Sequence, residues 1–68
     1  MKFEYDKEAN SAYIYVDESI DDGEAVKTIE LDQNIILDFD SKGKLLGVEI
    51  LDASKVLNEK VLLQAQSN

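Results

Sequence analysis

The strongest constraint on what this chain can fold into lies between Ile35 and Ile50. Two runs with period-two alternation, Ile35-Ile-Leu-Asp-Phe-Asp40 and Leu45-Leu-Gly-Val-Glu-Ile50, flank the polar insert Ser41-Lys-Gly-Lys44. Successive side chains of a strand point to opposite faces. A slip of one residue would therefore exchange the buried set for the exposed one, and alternation on both sides of a short turn fixes the register of a hairpin. On the first strand Ile35, Leu37 and Phe39 share one face, with Ile36, Asp38 and Asp40 opposite. On the second, Leu46, Val48 and Ile50 share a face, with Leu45, Gly47 and Glu49 opposite. Gly47 is a glycine inside a strand, which marks either a bulge or the close approach of a bulky group, an aromatic ring or a partner backbone.

The remaining segments extend this hairpin into a sheet. Lys2–Tyr5 reads as an edge strand with Phe3 and Tyr5 on one face, and Asp6–Asn10 as a connection whose Asp6 and Asn10 bond nearby backbone. Ser11–Asp17 alternates cleanly, with Ala12, Ile14 and Val16 on one face and Tyr13 and Tyr15 on the other. Glu18–Glu24 is an acidic loop, Ala25–Leu31 a β-branched extended segment, and Asp32–Asn34 a turn. From Asp52 the pattern becomes helical. Asp52 is a candidate cap, and Ala53, Val56, Leu57, Val61 and Leu63 fall in one arc at 3.6-residue spacing. Leu62 falls opposite them, so either the helix is interrupted near Asn58 or Leu62 faces a partner. Gln64–Asn68 reads as a frayed polar end. The expected fold is α+β: an antiparallel sheet of about five strands over residues 2–51, with a helical segment over residues 53–65 packed on one face, all in one domain spanning residues 1–68.

Size and composition limit the chemistry. At 68 residues, with no Cys and no His, the chain has neither disulfide staples nor the side chains of a His-based metal or acid–base site. Oligomerisation is the remaining source of extra stability, and a chain without Pro lacks that guard against edge-to-edge pairing, so a homodimer is expected. Fifteen acidic residues against seven basic give a net charge of −8, with no Arg. That balance argues against direct nucleic-acid binding and favours a basic protein partner. No apolar run approaches the about 20 residues that span a bilayer, and there is no signal-peptide pattern. No membrane association and a cytoplasmic location are the expectation.

Candidate sites are few. Asp38, Asp40, Gly43 and Glu49 match positions one, three, six and twelve of a calcium-binding loop, with Leu45 at the apolar eighth. Lys42, however, puts a cation at position five, and the flanks are strands rather than helices. Asp38, Asp40 and Glu49 remain weak metal candidates, and no cofactor is expected. The loop carrying Asp17, Glu18, Asp21, Asp22 and Glu24 lacks the spacing and rigid glycine of a dedicated ion site. No phosphate-cradling loop or nucleophile–base pair is present, so no catalytic residue is assigned. All three tyrosines, Tyr5, Tyr13 and Tyr15, fall in the first hairpin, by sheet propensity or because an interface uses them. Tyr13, Tyr15 and Leu62 are the interaction candidates, with Tyr15 expected to be exposed or at an interface.

The segment Glu4-Tyr5-Asp6…Glu8-Ala-Asn-Ser-Ala-Tyr-Ile14 resembles the opening of a small prokaryotic family known as the domain-of-unknown-function family numbered 2283. The stretch Ile35–Asp40 followed by Gly43–Lys55 is similar to that family's second signature. Lys7 stands where the family usually has proline, and Tyr15 where a polar or basic residue is common. The resemblance implies a small soluble domain with no established activity, and, because some members look like companions of small toxin-like proteins, an antitoxin-like role. The functional expectation is a non-enzymatic protein–protein interaction module. Its alternatives are an antitoxin-like partner of a small basic toxin and a weak divalent-cation or ligand-binding domain.

Overall fold

The computed structural model describes residues 1–67. Its strands are β1 (Lys2–Asp6), β2 (Ser11–Tyr15), β3 (Lys27–Asp32), β4 (Ile35–Phe39) and β5 (Leu45–Leu51). Two short helices come next, α1 (Ala53–Val56) and α2 (Glu59–Gln64), then a two-residue strand β6 (Gln66–Ser67). The sheet order is β3-β4-β5-β2-β1-β6, with the first five strands antiparallel. The β4–β5 hairpin keeps the expected register as far as Asp38, with Ile35 facing Ile50, Leu37 facing Val48 and Asp38 facing Gly47, and then shifts so that Phe39 faces Leu45 instead of Leu46. Its turn is tied by Asp40, whose Oδ1 accepts from the amides of Lys42 and Lys44 at 2.9 Å each, while Gly43 adopts φ 77°. That left-handed conformation is one glycine reaches without steric cost.

The helices lie on the face built by Phe3 and Tyr5 of β1, Ala12 and Ile14 of β2, and Val48 and Ile50 of β5. Ala12, Ile50 and Ala53 form the buried centre, with Val56, Leu57 and Leu62 packed around it. The helical segment breaks at Leu57-Asn58. Leu57 is extended, and Asn58 caps α2 by accepting from the Val61 amide at 3.0 Å. The break, the first of the two alternatives drawn from Leu62, rotates α2 relative to a continuous helix: Leu62, half-buried, packs against the core, whereas Leu63, contrary to its expected place on the apolar arc, is 78% exposed.

Three further differences concern the polar positions. β1 is not the outermost strand, because β6 pairs with it in parallel, Glu4 opposite Gln66 and Tyr5 opposite Ser67. Residues 66 and 67 are therefore strand rather than a frayed end. Two residues are too few to carry a hydrophobic period, so their pairing leaves no pattern in the sequence; Asn68 lies outside the described residues. Asp52 does not cap α1 with its own side chain and sits instead at φ 54°. The N-terminus of α1 is capped by the side chain of Asn10, 44 residues away from Ser54 in the chain. The Asn10 carbonyl accepts from the Ala53 amide at 2.8 Å, and its Oδ1 accepts from the Ser54 amide at 3.0 Å. Asn10 Nδ2 in turn donates to Asp52 Oδ1 and Ser54 Oγ, both at 3.0 Å, and Tyr5 donates to Asn10 Oδ1 at 3.2 Å. Asn10 itself lies in the left-handed region at φ 51°, which Asn tolerates better than most residues. The β1–β2 turn is thereby fastened to the β5–α1 junction.

Candidate functional site: the tyrosine and carboxylate face

The face of the sheet away from the helices is polar and aromatic, and it results from alternation. With Ala12 and Ile14 committed to the core, Tyr13 and Tyr15 must point the other way, together with Lys2 and Glu4 of β1, Gly47 and Glu49 of β5 and Asp38 of β4. Gly47 is what lets Tyr13 lie flat across this face. A Cβ added there would stand 2.6 Å from Tyr13 Cζ, far inside van der Waals contact. The tyrosine ring is thus the bulky group that the interior glycine accommodates. Crossing β5 over Gly47, the Tyr13 hydroxyl reaches β4 and donates to Asp38 Oδ2 at 2.8 Å.

Tyr15 points the other way across the sheet and donates to Glu4 Oε1 on β1 at 2.7 Å. The two rings meet edge to face, with centroids 4.6 Å apart and planes at 71°, a favoured arrangement for aromatic pairs. Lys2 completes the row, its Nζ 5.2 Å from the Tyr15 ring centroid and 3.5 Å from Glu4 Oε2. Tyr15 is therefore half-buried among its own neighbours.

The electrostatics derive from these contacts. Burial, and then the hydrogen bond to the Asp38 carboxylate, hold the Tyr13 phenol well above its ordinary range. The Tyr15 phenol is also raised, first by its bond to Glu4. Glu4 is lowered, first by the same Tyr15 bond, with Lys2 acting in the same direction. Neither phenol is activated as a base or nucleophile by such surroundings; both are held neutral as hydrogen-bond donors.

A shallow cavity of about 220 Å³ opens on this face, lined by Glu4, Asp6, Ser11, Tyr13, Tyr15 and Glu49 among others. Of the three metal candidates, Asp38 accepts from Tyr13, Asp40 is occupied by the amides of its own turn, and Glu49 lines the cavity. Among the described residues, no three carboxylates converge into a group able to hold a metal ion. No helix of the described residues is long and apolar enough to cross a membrane. The functional residue that the sequence does not reveal is Asn10, whose local sequence marks it only as a turn former. Its signal was indirect: Asn10 and Asp52-Ala-Ser54 both stand inside the stretches that carry the family resemblance.

A six-stranded sheet, antiparallel in its first five strands, with two short helices on one face defines an α+β protein. The chain belongs to the family described as protein of unknown function (DUF2283), whose model matches residues 2–54. It is also similar to uncharacterized protein MJ0789 of Methanocaldococcus jannaschii, at 38% identity over 58 residues. That match covers 85% of this chain and 46% of the relative, so the chain spans about half the length of that protein. No solved structure matches.

Proposed function

We propose that this protein is a non-enzymatic protein–protein interaction module that presents its tyrosine and carboxylate face to a basic partner in the cytoplasm. The observation that carries this reading is how the face divides its charges. Tyr13 and Tyr15 are anchored by Asp38 and Glu4, and Asp6 accepts from the amides of Glu8 and Ala9, while Glu49 at the cavity takes no ion pair among the described residues. Aromatic rings fixed beside a carboxylate without an ion pair suit a cationic side chain, since both the ring faces and the carboxylate attract positive charge. Lys2 over Tyr15 already makes such a contact within the chain. The cavity falls below the about 300–1,000 Å³ of small-molecule sites, which favours one protruding side chain over a cofactor. The net charge of −8 speeds encounter with a basic surface. An antitoxin-like role is the special case in which that partner is a small basic toxin.

Titration of the 15N-labelled protein with a lysine- and arginine-rich peptide tests this. Saturable shifts centred on Tyr13, Tyr15 and Glu49, weakened by salt and by Glu49→Gln, are expected. Absence of binding, or equal response to an acidic peptide, overturns the reading.

A further inference from the structure

The opposite edge of the sheet has a different character. Every residue of β3, Lys27 to Asp32, is exposed, with Ile29 at 42% and Leu31 at 65%, and Val26 just before it at 61%. The packed core draws on β1, β2, β5 and the helices and includes no side chain of β3. One edge of β3 bonds to β4, and the other offers its backbone groups to solvent. From the sequence of that edge and its bulge, we propose that β3 pairs antiparallel with β3 of a second copy, about a two-fold axis at Ile29, to give a homodimer with a continuous sheet.

The register decides in favour of a second copy. A two-fold axis through a continuous sheet keeps each copy's helix face on the same side, so only residues of the same face oppose one another. Centring on Glu30 sets Glu30 against its own copy, and like charges directly opposite are unfavourable. Centring on Ile29 sets Ile29 against Ile29, Thr28 against Glu30 and Lys27 against Leu31. The bulge then matters. Pairing passes from Glu30 opposite Ile36 to Asp32 opposite Ile35, so Leu31 and Asp32 together oppose one residue of β4. Because Ile35 faces Ile50 of the core, Asp32 lies on the same face as Ile29 and Lys27.

Each Lys27 stem therefore covers Leu31 of the other copy, and each Lys27 ammonium reaches its Asp32. Lys27 is the strand's only cation and takes no ion pair within the chain among the described residues. The pairing sets an isoleucine pair on the axis between two charge pairs and covers Ile29 and Leu31, the exposed apolar side chains of β3.

Light scattering across a concentration series, on the full chain, tests the proposal. Wild type is expected to dimerise. Lys27→Asp alone and Asp32→Lys alone should each weaken the dimer about tenfold or more, since each replaces two attractive contacts by two repulsive ones. Combining the two reversals should restore it. Circular dichroism of each variant below the dimerisation range checks that the monomer folds. A strict monomer up to about 1 mM, or a dimer indifferent to both reversals, overturns the proposal. So does protection of the β3 edge by a basic peptide without self-association, which would assign the edge to a different protein. Peptide binding at the tyrosine face is read out separately, so the two surfaces succeed or fail independently.

Discussion

Around β2 the sheet is closed on one side by Ala53, Val56, Leu57 and Leu62 and cross-tied on the other by Tyr13 and Tyr15, whereas β3 is exposed along its whole length. One chain thus builds a self-sufficient half and an unfinished half from strands of similar length and β-propensity. The difference arises from the segments that adjoin each strand in the chain. β5 runs into helices that fold back over β1, β2 and β5, while β3 lies between the acidic loop and a turn, neither of which covers it. With no disulfide and few fully buried side chains, the covered half holds the monomer together, and the bare half is available for association.

The largest separation between the halves is expected from core truncation. Ile50→Ala should cost about 2–4 kcal/mol in denaturant unfolding at low protein concentration, because it opens a cavity beside Ala12 and Ala53. Ile29→Ala should cost about 0.5 kcal/mol or less under the same conditions. Equal losses would break the comparison.

Next comes the remote cap. Asn10→Ala should cost about 1–2 kcal/mol, since it removes the acceptor of the Ser54 amide and places a residue with a Cβ but no compensating polar group at φ 51°. Asn10→Gly, which relieves the backbone strain but still loses the cap, should fall between wild type and Asn10→Ala in the same denaturant assay.

A smaller effect is expected at the tyrosine row. Gly47→Ala forces the Tyr13 ring aside and should cost about 1 kcal/mol through the lost bond to Asp38. In the same variant the Tyr13 phenol should titrate closer to its ordinary value of 10.0, as followed by tyrosinate absorbance.

The pH dependence sharpens the picture further. A phenol raised in the folded state stabilises the fold fully below its unfolded value and loses that contribution as pH rises through the folded value. The Tyr13 contribution is therefore present at neutral pH and lost above about 10, and Tyr13→Phe should flatten that alkaline decline in thermal melts. Glu4 works in the opposite sense. Lowered from 4.5, it contributes above its unfolded value and loses that contribution as pH falls through the folded one. Tyr15→Phe should bring the Glu4 titration back up, with only a slight change in stability because Glu4 is exposed to solvent screening.

Alternation made the strands legible: Ser11–Asp17 and Ile35–Ile50 announced both their faces and their register, and Gly47 announced a close neighbour. The hydrophobic arc of residues 53–63 was legible only in part, because the break at Asn58 rotates Leu62 inward and Leu63 outward. The long-range polar ties were not legible, although the local one made by Asp6 in its own turn was. Asn10 and Asp52 lie far apart in the chain, and nothing in either local sequence states that one caps a helix begun by the other. Likewise, Asp38 as a tyrosine acceptor and Asp38 as a metal ligand leave the same trace in a sequence; only the path of Tyr13 across Gly47 separates them.

The division into a closed half and an open half is tested most directly by amide hydrogen exchange measured across a protein concentration series. Amides of Ser11–Tyr15 should be protected at every concentration, while those of Lys27–Asp32 that point away from β4 gain protection as the concentration rises through the dimerisation range. Protection of β3 equal to that of β2 at the lowest concentration, with no change as concentration rises, would contradict the account.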